Sequence, residues 1–303
     1  MPGPVRLHGL PRAHDSLVCV DSDGTVFDTM LPKQRICFQG AFLSVLGLQP
    51  AEALVRETLE FTGLFSRTRG INRFAIFLHT LEHLVRRPEF LATGLRLPDT
   101  TALRAWVDGP GPLSAGRLEA DLAARPDPAM RLALEWSRAV TDCVERHVQH
   151  VSPFPGARET LLEMAATSDL VIVSATQQSA LDRDWSDNEM TGIPLAIAGA
   201  EAGTKEDQIT AARANRYPPE RVLMIGDSPG DLKAARVTGV RFFPMIPGDE
   251  AASWLRLRQE IHPSFLRDAY TADQERAELE HFLAALPETP PWVAQGGPRV
   301  GFA

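Results

Sequence analysis

Four short apolar runs rich in β-branched residues punctuate the chain: Leu17 to Val20, Leu170 to Val173, Leu195 to Ala198 and Val222 to Ile225. Runs of this length, each closed by polar or small residues, predict strands buried on both faces. Helical periodicity over 157–167, 179–188, 205–216 and 231–237 alternates with the later runs, and a weaker fifth strand is expected at Val240 to Met245. Strand and helix in alternation predict an α/β core, a Rossmann-like, doubly wound parallel sheet with helices on both faces. Ligands of such sheets sit beyond the carboxyl ends of the strands, so the residues following each run are the ones to inspect.

The rhythm breaks between the first and second runs. From Asp28 to Val151 the pattern is helical with almost no strand period, which predicts an inserted all-helical domain. Ile71, Phe74, Ala75, Leu78, Leu81 and Val85 form one helical stripe, and Ala133, Trp136, Val140, Cys143, His147 and Val148 roughly form another; both read as packing faces. Ser152-Pro153-Phe154-Pro155-Gly156 and Met30-Leu31-Pro32 are expected to be the hinges, because proline fixes φ and stops a helix. The domains expected are therefore a core of residues 1–28 and 152–248, a helical insert of 29–151, and a helical C-terminal extension of 249–303 ending irregularly from Pro287.

A length of 303 residues suits about two domains at roughly 150 residues each. Hydrophobic residues at 44% and charged residues at 23% exclude a disordered or fibrous chain. Lys and Arg number 31 against 39 Asp and Glu, a net charge of −8 that disfavours nucleic acid as a partner. No apolar run approaches a membrane span, so no membrane partner is expected, and the N-terminus lacks the apolar stretch of a signal peptide. Cys19, Cys37 and Cys143 are odd in number and widely spaced, which predicts reduced thiols and a cytoplasmic location. The sequence carries no signal for an oligomeric state.

The strand ends supply chemistry. The first closes in Asp21-Ser22-Asp23-Gly24-Thr25, two carboxylates able to face one ligand around a bend that Gly24 permits. The second closes in Ser174-Ala175-Thr176, a hydroxyl with turn amides suited to an anion. Lys205 opens a helix after the third, and the fourth runs into Gly226-Asp227-Ser228-Pro229-Gly230-Asp231. Each part alone has a bland explanation, as an Asx-turn, a helix cap or a solvated helix start. Four of them in this order, each at a strand end, match the equipment for Mg²⁺ and a phosphoryl group.

These motifs resemble those of the haloacid-dehalogenase-like superfamily of phosphohydrolases, in the branch with a helical cap domain inserted after the first motif. The resemblance runs from Leu17 to about Met245: the D-x-D-G-T motif at Asp21 to Thr25, the hydroxyl at Ser174, the lysine at Lys205, and G-D-x-x-x-D at Gly226 to Asp231. It implies that Asp21 is a nucleophile forming an aspartyl-phosphate, and that Asp23 is its general acid and base. It implies further that Ser174 donates to a phosphoryl oxygen and that Lys205 supplies counter-charge. Mg²⁺ would be held by Asp21, the carbonyl of Asp23 and Asp227, with Asp231 behind, through water or against Lys205. The partner implied is a small phosphorylated molecule. Thr25 is expected at the substrate, as are Arg67, Arg69 and Arg73, a basic segment in the acidic chain that would read the leaving group.

Other readings compete. A sugar-phosphate mutase shares every motif; a haloacid-type dehalogenase shares the nucleophile but needs neither Asp23 nor a metal. A phospho-acceptor receiver domain shares the acidic cluster, yet receivers have no inserted domain. His79-Thr80-Leu81-Glu82-His83 matches a zinc pattern, but the histidines flank a packing stripe and read as core-edge residues. The segment Gly199 to Lys205 lacks the spacing of a nucleotide phosphate loop.

Overall fold

The computed structural model describes residues 7–214 and 216–294. Strands β1 (Leu17–Val20), β2 (Asp169–Val173), β3 (Ala196–Ala198), β4 (Val222–Gly226) and β5 (Arg241–Pro244) form one sheet in the order β3-β2-β1-β4-β5, every pair parallel. Its helices are labelled α1 (Ala157–Ala165), α2 (Gln178–Asp187), α3 (Lys205–Arg213), α4 (Pro229–Thr238), α5 (Glu250–Arg256) and α6 (Ala272–Ala285). Alternate side chains of each strand point to opposite faces and build two separate cores. Val18, Val20, Leu170, Ile172, Leu223, Ile225 and Phe243 pack with Leu161 of α1 and Trp185 of α2. Leu17, Cys19, Val171, Val173, Met224 and Phe242 pack on the other face with Ile209 of α3 and Ala234 of α4. This is the doubly wound arrangement expected. β5 lies at a sheet edge, where Pro244 costs no interior ladder bond.

The chain leaves β1 for β2 and β3 on one side, then crosses to β4 and β5 on the other. The crevice of such a sheet opens where the strand order reverses, between β1 and β4. Val20 pairs with Ile225, and the Asp21 N–H continues the ladder to the Ile225 carbonyl at 2.9 Å. The first motif is thereby fixed beside the fourth.

The chain divides into two compact units, one holding the residues up to Met30 and His150–Ala285, the other Leu31–Gln149 and the residues from Leu286. The expected separate extension of 249–303 is corrected. Trp254, Leu257, Ile261, Phe265 and Tyr270 complete the core of one sheet face, and Phe282 of α6 meets Phe242 of β5. Beyond Leu286 the chain joins the helical unit, where Trp292 packs edge-on against Phe61 and His83 and lies under the buried Arg87 guanidinium at 4.2 Å. Residues 295–303, part of the tail expected to be irregular, lie outside the described residues.

The helical unit is organised around Trp136 on Pro128–His147, with the rings of Phe38, Phe42 and Phe77 about it. Phe74, Ala75, Leu78 and Leu81 of Arg73–Leu84 are buried as the stripe predicts, whereas Val85 at its end is exposed. His83 stacks on rings, and Glu82 is held by Arg104, so the His79-to-His83 pattern serves packing and pairing. No helix among the described residues is long and apolar enough to cross a membrane.

The expectation of three reduced thiols is also corrected. Cys37 and Cys143, 106 positions apart, form a disulfide that joins the first helical turns of this unit to the end of its longest helix; Cys19 is free and buried. Spacing conceals such a pair, because only the fold brings Lys33–Phe38 against Pro128–His147. The thiol argument for a reducing compartment falls with it. Closing a loop of that length stabilises by about 5 kcal/mol in the chain-entropy account. Cys143→Ser should lower the melting temperature of the oxidised protein by several degrees; an unchanged melting temperature would show that the bond contributes nothing.

Candidate active site

Asp21 follows β1 into a tight loop. Gly24 at φ 76° lets the chain turn back so that the Val26 and Phe27 N–H groups donate to the Ser22 carbonyl. Two buried tryptophans hold this loop from outside. Trp185 donates to the Ser22 hydroxyl at 3.1 Å and Trp254 to the Thr25 carbonyl at 2.9 Å. Neither tryptophan carries a sequence signal for the site, since each lies in an ordinary helical stripe.

Three carboxylates meet at the crevice. Oxygens of Asp21, Asp227 and Asp231 lie within 4.8 Å of one another, all buried. Lys205, at the start of α3, places its ammonium 2.8 Å from Asp21 and also pairs with Asp231. The other Asp231 oxygen accepts from the Ser228 N–H at 3.0 Å and hydroxyl at 2.7 Å, a capping box that starts α4 and fixes the carboxylate. Gly226 is required beside it: a Cβ there would lie 2.3 Å from the Asp231 carboxyl carbon.

Burial dominates the Asp21 carboxyl and pushes its pKa well above the ordinary carboxylate value; Asp231 and Asp227 push the same way, and Lys205 opposes them. Burial works against the charge of Lys205, but Asp21 and Asp231 outweigh it and raise its proton affinity, so the ammonium is kept. Three buried acids facing one cation call for more positive charge. The hard oxygen donors fit a small divalent cation such as Mg²⁺, which prefers carboxylate, carbonyl and water oxygen.

Asp23 stands apart from that cluster. Its Oδ2 accepts from the Thr176 hydroxyl at 2.8 Å, across from the end of β2. Ser174 is buried, and its Oγ accepts from the Thr176 N–H at 3.1 Å, which leaves the hydroxyl proton to donate elsewhere.

Thr25, expected at the substrate, is fully buried, its hydroxyl donating to Asp227 at 3.1 Å. A β-branched hydroxyl at the turn orients a carboxylate there. The three arginines lie in the helical unit. Arg69 is buried and donates to the Leu64 carbonyl at 3.0 Å; Arg73 donates to the Ser137 carbonyl and the Thr141 hydroxyl above the Phe38 ring. Those bonds, with Asn72 capping the helix, offset the unfavourable cation at its N-terminus. Arg67 is partly exposed, with Glu288 at 3.8 Å.

The α/β unit, its parallel order and the acids at the switch point agree with the resemblance of the motifs to the haloacid dehalogenase-like hydrolases. That family matches residues 122–245, a span containing Ser174, Lys205, Asp227 and Asp231. A haloacid dehalogenase-like hydrolase from Streptococcus pneumoniae is 17% identical, with a TM-score of 0.41 over 79% of this chain and 90% of its own. A predicted phosphoglycolate phosphatase from Haemophilus somnus is 14% identical, with a TM-score of 0.46 over 76% and 84%. CbbY from Rhodobacter sphaeroides, solved with phosphate, is 16% identical, with a TM-score of 0.40 over 76% and 86%. No curated protein matches the sequence.

Proposed function

We propose that this protein is a Mg²⁺-dependent phosphatase that hydrolyses a small phosphorylated metabolite through an aspartyl-phosphate on Asp21. The observation that carries the reading is the division of labour between carboxylates: Asp21 sits in a charged cluster with Lys205, whereas Asp23 is held separately by Thr176. A dehalogenase needs no second acid, because halide leaves unprotonated. An alkoxide leaving from phosphorus does need one.

In this mechanism a carboxylate oxygen of Asp21 attacks phosphorus while the bond to the leaving oxygen breaks and Asp23 gives that oxygen its proton. Asp23 then takes a proton from water as the water oxygen attacks phosphorus, and the Asp21–phosphorus bond breaks to release inorganic phosphate. Ser174 donates to a phosphoryl oxygen, and Lys205 holds Asp21 in place and faces the transferring group with positive charge. Asp21, Asp227 and the Asp23 carbonyl would hold the cation, with Asp231 setting Lys205. When bound, the cation supplies charge neutralisation for a phosphate approaching carboxylates. The helical unit serves as the cap, and Arg67, the partly exposed arginine of its basic segment, takes the leaving group.

A panel of phosphorylated metabolites, assayed for phosphate release, tests this reading. Activity should require Mg²⁺ and vanish in EDTA, and Arg67→Ala should raise KM for the best substrate while sparing p-nitrophenyl phosphate. Full activity in chelator, or halide release without phosphate release, would contradict it. Conversion of one sugar phosphate to its isomer without phosphate release would favour the mutase.

A further inference from the structure

Gln208 lies three residues after Lys205 on α3, is wholly buried, and commits its entire amide to backbone groups. Its Oε1 accepts from the Ser174 N–H at 2.9 Å, a donor shared with the Ala198 carbonyl at 3.0 Å. Its Nε2 faces the carbonyls of Ser174 at 2.9 Å, Gly203 at 2.9 Å and Gly199 at 3.0 Å. One side chain therefore ties the end of β2 to the loop after β3 and to the turn that starts α3. Only an uncharged amide both donates and accepts in this way; a carboxylate lacks the donors and an aliphatic chain lacks both.

We propose that Gln208 is a positioning residue for phosphoryl binding, acting through the Ser174 peptide. This rests on the phosphatase reading above. A turn of that peptide would swing the Ser174 hydroxyl and the following amides together, and with them the Thr176 side chain that holds Asp23. The two loops it clamps touch backbone to backbone: the Ala200 N–H donates to the Thr176 carbonyl at 2.9 Å, and a Cβ on Gly199 would lie 2.7 Å from that same oxygen. Lys205 rides on the same helix one turn earlier, so Gln208 also sets the spacing between the hydroxyl and the ammonium. A buried amide bonded on both sides costs little to keep and leaves several polar groups unpaired when lost.

The test compares wild type, Gln208→Met, Gln208→Asn and Ser174→Ala, reading kcat, KM and the affinity for inorganic phosphate by calorimetry. Gln208→Met should weaken phosphate binding and raise KM by about tenfold, and Gln208→Asn, which keeps the amide on a shorter stem, should recover part of this. In the Ser174→Ala background the same substitution should cost clearly less than in wild type, because the hydroxyl it positions is gone while the following amides remain. Phosphate affinity and KM within about twofold of wild type, or an undiminished loss in the Ser174→Ala background, would overturn the proposal. If Gln208→Met does not fold, Gln208→Asn alone carries the same two comparisons. A wild-type protein inert on every phosphate monoester would contradict the phosphatase reading instead, and the phosphate-binding comparison would still decide the role of Gln208.

Discussion

Asp21→Asn is expected to abolish turnover, by roughly four orders of magnitude or more, while leaving the fold intact. The amide cannot accept a phosphoryl group, and one of three clustered carboxylates is lost as a cation ligand. Folding should not suffer. Burial and the neighbouring Asp231 and Asp227 already work against charge on Asp21, so a neutral isostere relieves repulsion, and Lys205 keeps Asp231 as its partner. Thermal melting together with phosphate release checks both halves. A variant retaining more than about one percent of wild-type activity would show that another group is the nucleophile, since loss of a true nucleophile costs far more.

Asp23→Ala has the second largest expected effect, and its size should depend on the substrate. An aryl phosphate leaves as a stable phenolate and needs little protonation, so the first step should fall by less than about tenfold; an alkyl phosphate should lose about a hundredfold or more. Breakdown of the aspartyl-phosphate should slow for both, because the same carboxyl activates the water. Burst kinetics with p-nitrophenyl phosphate separate the two steps. Equal losses on both substrates without a burst would remove Asp23 from acid and base work.

The parts of this molecule that local pattern determines were legible in the chain. The strands are continuous apolar runs because both faces are buried, and the helix starts at Thr204 and Ser228 carry capping boxes. Asp21, Ser174 and Asp227 follow their strands directly, and Asp23, Lys205 and Asp231 lie in the turns or helix starts just beyond, which is why these positions stood out in the chain. What could not be read depends on pairs far apart in sequence. Cys37 and Cys143 meet only once the helical unit has folded. Trp254 reaches the Thr25 carbonyl from a segment whose helical pattern gave no hint that it completes the sheet's core. Thr25 and Gln208 belong to residue types common anywhere; their roles come from the polar groups each meets in a buried site. The arginine segment was legible only as clustered charge. Clustered positive charge suggested a ligand, and the fold uses Arg69 and Arg73 to satisfy carbonyls of their own unit.

The covalent intermediate is the centre of the account, and slowing its breakdown exposes it. Asp23→Ala mixed with Mg²⁺ and p-nitrophenyl phosphate, quenched in acid within the first turnover and digested, should yield one peptide heavier by a phosphoryl group, with the modification on Asp21. Turnover without that adduct, or an adduct on any other residue, would contradict the mechanism.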